Sequence, residues 1–314
     1  MKIYNMNSSN KLCTSGIINL GFSCYLSSIM QCLSYNKSLI TYLSSHEFDE
    51  DLNNGQYNLF CKEFRTLILQ LWVSNGVLNP NKFKLICDQL IVNKGLGRHM
   101  IGRQNDSHEF LEFILDSLHE GLSYQPKINI SITGNDKSIS DIDKMALKAC
   151  NSWKGYFSKG YSKIIDLYYG QFLSEIKNNQ EINYNFEPFQ VLSLEIPNKD
   201  DIKIEDCIDK FMETEQINDI TNKTFYFWNS PNNLIISLKR FNNEGIKNEN
   251  RVSYSEVLDI SKYSKGYTRE NIKYSLYGIC CHQGNNMECG HYISLCRNKG
   301  SNKWYKFDDD KVSE

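Results

Sequence analysis

Apolar positions in this chain change their spacing about half way along. From Cys24 onward Leu26, Ile29, Met30 and Leu33 fall at i, i+3, i+4 and i+7, one face of a helix. The same period predicts helices over Tyr57 to Trp72, with Leu59, Phe60, Phe64, Leu67, Ile68 and Leu71 as the stripe, over Phe83 to Leu90, and over Asp106 to His119. The last opens with Asp106-Ser-His-Glu109, a capping-box pattern. Ser123 to Asp143 is polar and β-branched and reads as a loop or insertion, and a further helical pattern runs around Met145 to Phe157. Beyond Ile164 the segments become strand-like, at Phe189 to Ile196, Thr224 to Trp228, Leu234 to Phe241 and Tyr274 to Cys281. Helices first and strands later predict an α+β architecture. There is no internal repeat.

The candidate chemistry lies at the two ends. Gly16-Ile17-Ile18-Asn19-Leu20-Gly21-Phe22-Ser23-Cys24-Tyr25 places Cys24 where the first helix begins. Unpaired N–H groups and the positive end of the helix dipole there favour a thiolate. At the far end, His291 to Cys296 and Lys303 to Phe307 are β-prone runs around a turn-rich stretch. With the turn centred between Lys299 and Gly300, His291 faces Asp308 across a hairpin at a Cα separation of roughly 4.5–5.5 Å. A carboxylate at that distance can orient an imidazole. A longer loop or a bulge at Gly300 would move the register and pass the role to Asp309 or Asp310. Taken singly, Cys24 reads as a core thiol and Asn19 as a turn residue; it is the combination of nucleophile, base and acid that points to catalysis.

These residues resemble the ubiquitin-specific proteases, papain-like cysteine hydrolases that release ubiquitin from its conjugates. Gly16 to Leu33 is similar to that family's cysteine box, and Gly290-His291-Tyr292 with Trp304 to Asp309 to its histidine box. Between them, Gln104-Asn-Asp106-Ser-His-Glu109-Phe110 resembles its acidic motif, Glu187-Pro-Phe-Gln-Val-Leu-Ser193 its Glu-Pro-Phe segment, and Leu238-Lys-Arg-Phe241 its Leu-Lys-Arg-Phe strand. Five matches in family order cover nearly the whole chain.

The resemblance implies a single catalytic domain with a helical thumb (1–163), β fingers (164–233) and a β palm (234–314). It implies catalysis by Cys24, His291 and Asp308, with Asn19 and backbone N–H groups holding the oxyanion. Gln104 and Asp106 would hold the basic tail of ubiquitin, and His282 and Tyr292 would line the channel over its terminal glycines. Asp106 has a second reading as a helix N-cap, worth about 1 kcal/mol. The implied partners are ubiquitin and ubiquitinated proteins; a monomer is expected, and the scattered cysteines place it in cytoplasm or nucleus. Two alternatives are a protease for another ubiquitin-like modifier and a ubiquitin-binding pseudoenzyme.

Composition narrows this without redirecting it. The 314 residues carry a net charge of −2, and a pI near 6.3 points to neither a nucleic-acid nor a membrane surface. Eleven scattered cysteines suit a reducing compartment better than a disulfide scaffold. Gly170 to Leu238 contains only Cys207, so the paired Cys-x-x-Cys zinc signal of many family members is missing. Cys280, Cys281, Cys289 and Cys296 with His282 and His291 fit no zinc spacing, and a metal on His291 would remove the base. No metal and no cofactor are therefore expected. Two departures bear on activity: bulky Phe22 replaces a small polar residue beside the nucleophile's turn, which would narrow the cleft or alter the oxyanion geometry. Lys311-Val-Ser-Glu314 also closes the sequence where family members usually continue into a further strand.

Overall fold

The helical half of the chain forms where its apolar positions repeat. A computed structural model describes residues 14–95, 101–131, 139–179, 181–242, 244–286, 289–298 and 300–314. In chain order the elements are β1 (Gly16–Ile17), α1 (Cys24–Ser34), α2 (Lys37–Leu43), α3 (His46–Asp51), α4 (Asn58–Val73), β2 (Val77–Leu78), α5 (Asn81–Asn93) and α6 (Ser107–Leu122). Then come α7 (Asp141–Phe157), α8 (Lys163–Tyr168), β3 (Gly170–Lys177), β4 (Ile182–Phe189), β5 (Val191–Glu195), α9 (Ile204–Met212), β6 (Glu215–Asn218), β7 (Thr221–Asn229) and β8 (Ile235–Lys239). The last are β9 (Val257–Asp259), β10 (Lys273–Ser275), β11 (Gly278–Gln283), β12 (His291–Asn298), β13 (Lys303–Asp308) and β14 (Lys311–Ser313). The architecture is α+β, as the order of patterns predicts.

The chain divides into two units, one of Met1–Ser123, Asn243–Lys247 and Tyr277–Glu314, the other of Tyr124–Asn242 and Asn248–Leu276. The first holds helices α1 to α6 and a four-stranded antiparallel sheet in the order β11-β12-β13-β14. Its core is aromatic: Tyr25 meets Phe110 edge-on at 5.0 Å, and Phe60 packs against Phe64, Phe83 and Phe113. The second unit contains the sheet β4-β3-β7-β6, the parallel pair β5 and β8, and the antiparallel pair β9 and β10. Phe172 stacks on Phe189 at 3.9 Å there, over Leu192, Leu194, Cys207, Ile208 and Phe227.

Several elements depart from the sequence reading. Leu59, placed in the stripe of α4, is 51% exposed, while Phe60, Phe64, Leu67, Ile68 and Leu71 are buried. Leu59 sits at the edge of the stripe, and one residue is about 100° of helix. Where the chain beyond Ile164 reads as strands, α8 and α9 are helices; Ile204, Cys207 and Ile208 are buried at helical spacing, and Asp206 Oδ2 accepts the Lys203 N–H at 2.7 Å. The tract read as a loop to Asp143 ends earlier, because Ser140 caps α7 by accepting from the Asp143 N–H; residues 132–138 of that tract lie outside the described residues. Phe189 to Ile196 and Tyr274 to Cys281, each read as one strand, are each parts of two. Lys311–Ser313 itself pairs with β13 as the edge strand β14.

Burial separates Leu59 from Phe60 although they are adjacent. Phe60→Ala is expected to cost about 3–5 kcal/mol, and Leu59→Ala to stay within about 0.5 kcal/mol of wild type. Denaturant midpoints of the two variants check this, and equal losses would contradict it.

Candidate active site

The chain enters α1 through a left-handed turn. Gly21 and Phe22 both have positive φ, 79° and 54°. Glycine adopts that conformation freely, but a phenylalanine there costs roughly 1–2 kcal/mol. Phe22 is 58% exposed, so its ring is turned to solvent and what it alters is the backbone. Ser23, the N-cap residue, makes no side-chain cap bond to the helix. Its hydroxyl instead accepts from Leu20 N–H at 2.8 Å and lies 3.2 Å from Asn19 Oδ1. The first N–H groups of α1 therefore remain for whatever lies in front of them.

In front of them is Cys24, 1% exposed. Burial pushes its thiol pKa up, and the nearby Asp309 carboxylate adds to the rise; the N–H groups of Tyr292, Tyr25 and Cys24 work in the opposite direction. The helix N-terminus thus acts on the sulfur as expected, but desolvation outweighs it in the resting protein. The Tyr292 N–H beside the sulfur belongs to the residue after His291.

His291 opens β12, and its Nε2 lies 2.6 Å from Asp308 Oδ1. The register differs from the expected one: Ser294 pairs with Phe307 and Asn298 with Lys303, so facing residues sum to 601 rather than 599. The turn is centred one position later, and the expected centre involves Lys299, outside the described residues. A two-residue change keeps every side chain on its face. His291 and Asp308 therefore meet diagonally across the hairpin instead of directly. The Asp308 carboxyl is held below the usual range, mainly by His291, with burial opposing and Lys306 at 3.2 Å assisting. With Nε2 committed to Asp308, Nδ1 is the nitrogen free to take a proton.

Asp309 has a different task. Its backbone is left-handed (φ 53°), and Oδ2 accepts from Asn19 Nδ2 at 2.8 Å while standing 3.9 Å from His291 Nε2. Asn19 Oδ1 accepts from the Ser23 N–H at 3.2 Å. The carboxamide is thus held at both ends, and one of its two amide protons remains. Burial raises the Asp309 pKa, partly offset by Asn19 and His291. The sequence offers Asp309 only as a substitute for Asp308; the signal it carries is the acidic run itself.

The other four candidates also come together. Asp106 caps α6, accepting from the His108 and Glu109 N–H groups at 2.6 and 3.2 Å. Gln104 Nε2 donates to the Gly290 carbonyl, and Tyr292 Oη accepts from the Ser107 N–H at 3.4 Å. His282 pairs with Tyr292 across β11 and β12, their rings 4.8 Å apart. Burial lowers the His282 pKa, Lys247 lowers it further and Asp106 raises it; burial pushes Tyr292 up to about 12. Glu109 stays exposed at the helix start. Lys247, which the sequence reading passes over, reaches this cluster from another loop.

As for metals, His291, Asp308 and Asp309 place one ligand atom each within 4.8 Å of one another, the one such group of three among the described residues. A cation there would occupy the nitrogen that binds Asp308. The cysteines of β11 and β12 do not converge in this way. No helix among the described residues is long and apolar enough to cross a membrane.

The arrangement has the papain-like α+β fold. A family model described as ubiquitin carboxyl-terminal hydrolase matches residues 15–314, and the chain belongs to that family. It is 30% identical over 329 residues to ubiquitin carboxyl-terminal hydrolase Usp2 of Drosophila melanogaster, covering 98% of this chain and 33% of that protein. It is 27% identical to the human ubiquitin carboxyl-terminal hydrolase 2, covering 98% of this chain and 53% of the relative. The chain thus spans about a third to a half of the length of these relatives. Among solved structures, the SAGA Ubp8/Sgf11/Sus1/Sgf73 DUB module bound to ubiquitin aldehyde aligns with a TM-score of 0.72 at 24% identity, over 100% of this chain and 68% of that one.

Two tests follow from the geometry. Alkylation of Cys24 by iodoacetamide, read from its peptide by mass spectrometry, should still be climbing above about pH 8.5, the ordinary thiol value. A plateau near neutrality would instead reveal a resting thiolate–imidazolium pair. Phe22→Asn, which relieves the left-handed strain, should stabilise the protein by about 1 kcal/mol and raise Tm by about 2 °C; a lower Tm would show that the ring makes contacts worth more than the strain.

Proposed function

We propose that this protein is a cysteine-type deubiquitinase that cleaves the bond after the C-terminal glycine of ubiquitin in conjugates. The observation that carries the reading is the His291–Asp308 pair at 2.6 Å, set beside a buried cysteine at the unsealed start of a helix. His291 Nδ1 takes the Cys24 proton, and the thiolate attacks the glycine carbonyl. Negative charge develops on the carbonyl oxygen, where the Cys24 N–H and the remaining Asn19 amide proton stabilise it. The imidazolium, steadied by the Asp308 carboxylate, gives its proton to the leaving amine. Water then hydrolyses the thioester with His291 as base.

Asp106, Gln104, His282 and Tyr292 form the passage for the tail, with Asp106 supplying charge for the arginines before the diglycine. Asp106 serves this while capping α6, since a carboxylate has two oxygens and the cap uses Oδ1. The choice of ubiquitin rests on the names of the relatives and on the ubiquitin aldehyde bound in the Ubp8 module. The ten described cysteines are all free, which suits the cytosol or nucleus as its place of action, where we expect it to work as a monomer.

A ubiquitin probe with a C-terminal vinyl electrophile tests the reading. It should attach at Cys24 and fail on Cys24→Ala, and His291→Ala should slow turnover of a ubiquitin amide by about 10²–10⁴-fold. Probes built on other ubiquitin-like modifiers should label far more slowly. Labelling of a different cysteine, or faster reaction with another modifier, would sink the assignment, and tight ubiquitin binding without turnover would mark a pseudoenzyme.

A further inference from the structure

Residues 244–247 belong to the first unit although the chain on either side belongs to the second. Lys247, the last of them, directs its ammonium at the end of β11. Its Nζ donates to the His282 carbonyl at 3.0 Å and to the Gly284 carbonyl at 2.7 Å, and stands 3.4 Å from His282 Nδ1. An ammonium has donors and no acceptor, so the ring nitrogen facing it is the accepting one. His282 is then neutral, with its proton on Nε2. The Nε2 edge faces Gly290, whose backbone comes so close that a Cβ there would overlap the ring. Gly290 in turn receives the Gln104 amide on its carbonyl and leads directly into His291.

Among the described residues Asp106, Lys247 and Tyr292 are charged or titratable groups that bear on the His282 ring. Asp106 favours its protonated form, Lys247 opposes it, and Tyr292 on the paired strand is neutral with its pKa near 12. A protonated His282 would put a positive charge in the field of Asp106, in competition with a cationic tail. Lys247 prevents that from a loop outside the sheet.

We propose that Lys247 is a positioning residue: it clamps the end of β11 from a separate loop and keeps the neutral Nε2–H form of His282 over Gly290, leaving Asp106 free for the arginines of the substrate tail. This rests on the deubiquitinase reading, and its consequence is specific. Lys247 acts on substrate capture and leaves the bond-breaking step alone.

The test compares wild type with Lys247→Met and Lys247→Arg, using ubiquitin with a C-terminal fluorogenic amide and NMR titration of the His282 imidazole. For Lys247→Met we expect KM to rise about tenfold with kcat within about threefold and Tm within about 2 °C. The His282 titration should move up toward the ordinary value of about 6.5. Since the lowered pKa keeps the ring neutral to more acid pH, removing the cation lets it protonate earlier, and the KM defect should deepen as pH falls from about 8 to 6. Lys247→Arg keeps the charge and should return the titration to its wild-type position. An unmoved His282 titration in Lys247→Met, or a KM equal to wild type at pH 6, would overturn the proposal. So would a large Tm loss with kcat and KM failing together, the mark of a simple strut. If the wild type cleaves no ubiquitin substrate, the functional reading fails by itself, while the His282 titration still decides the clamp.

Discussion

Everything at the site depends on the burial of α1. Of its eleven residues only Cys32 is left partly exposed; the helix is enclosed on all sides, packed against α4 and α6 and against the inner face of β11 and β12. A helix enclosed in this way has to satisfy its polar groups internally. Gln31 Nε2 donates to the Ser15 carbonyl at 2.7 Å and Ser34 Oγ to the Gln31 carbonyl at 2.8 Å, both buried. Such a helix cannot turn or slide without leaving a buried donor unpaired, which costs about 1–3 kcal/mol per group. Cys24 is therefore fixed by the core and not by the loop in front of it.

The same burial sets the electrostatics. It raises the thiol pKa and leaves the imidazole and its carboxylate where water can still reach them, since the His291 and Asp308 side chains are each 35% exposed. The half-exposed Asp308 is ionised because His291 holds it so, and the more buried Asp309 is pushed the other way. Two adjacent carboxyls thus have opposite tendencies and different partners, one on the imidazole and one on the Asn19 amide. Environment divides the work between them.

The α+β class and the long helices were legible in the sequence because a stripe of five or six apolar residues has one period and tolerates an error at its edge, as Leu59 shows. Short helices such as α2 and α3 offer too few turns for a period, and α9 was lost among strands although Ile204, Cys207 and Ile208 carry its spacing. Cys24, His291 and the acidic run were legible as motif. Their geometry was only half so: the hairpin register was two residues away from the expected one, and Asp308 remained on the correct face because side chains alternate with a period of two. Lys247 was not legible at all. A single lysine in a polar loop has no pattern, and its meaning comes from the carbonyls that a distant strand brings to it.

Closing the site brings the two ends of the chain together. The Ile17 N–H donates to the Asp309 carbonyl at 2.9 Å, Asn19 reaches the Asp309 carboxylate, and a Cβ on Gly16 would run into the Asp310 carbonyl. Gly16 is thus required by close approach, since its φ carries no strain. The contact also orients both partners of the Asn19–Asp309 hydrogen bond: β1 sets where Asn19 begins, and the left-handed turn at Asp309 sets where it ends. Joining segments so far apart in sequence is entropically late, because a loop must close before any contact rewards it. The candidate site is consequently complete only when the first and last strands of the first unit are both docked. Fraying at either one would dismantle the Asn19–Asp309 bond and the Asp309 turn together, while α1 and its buried thiol stay in place.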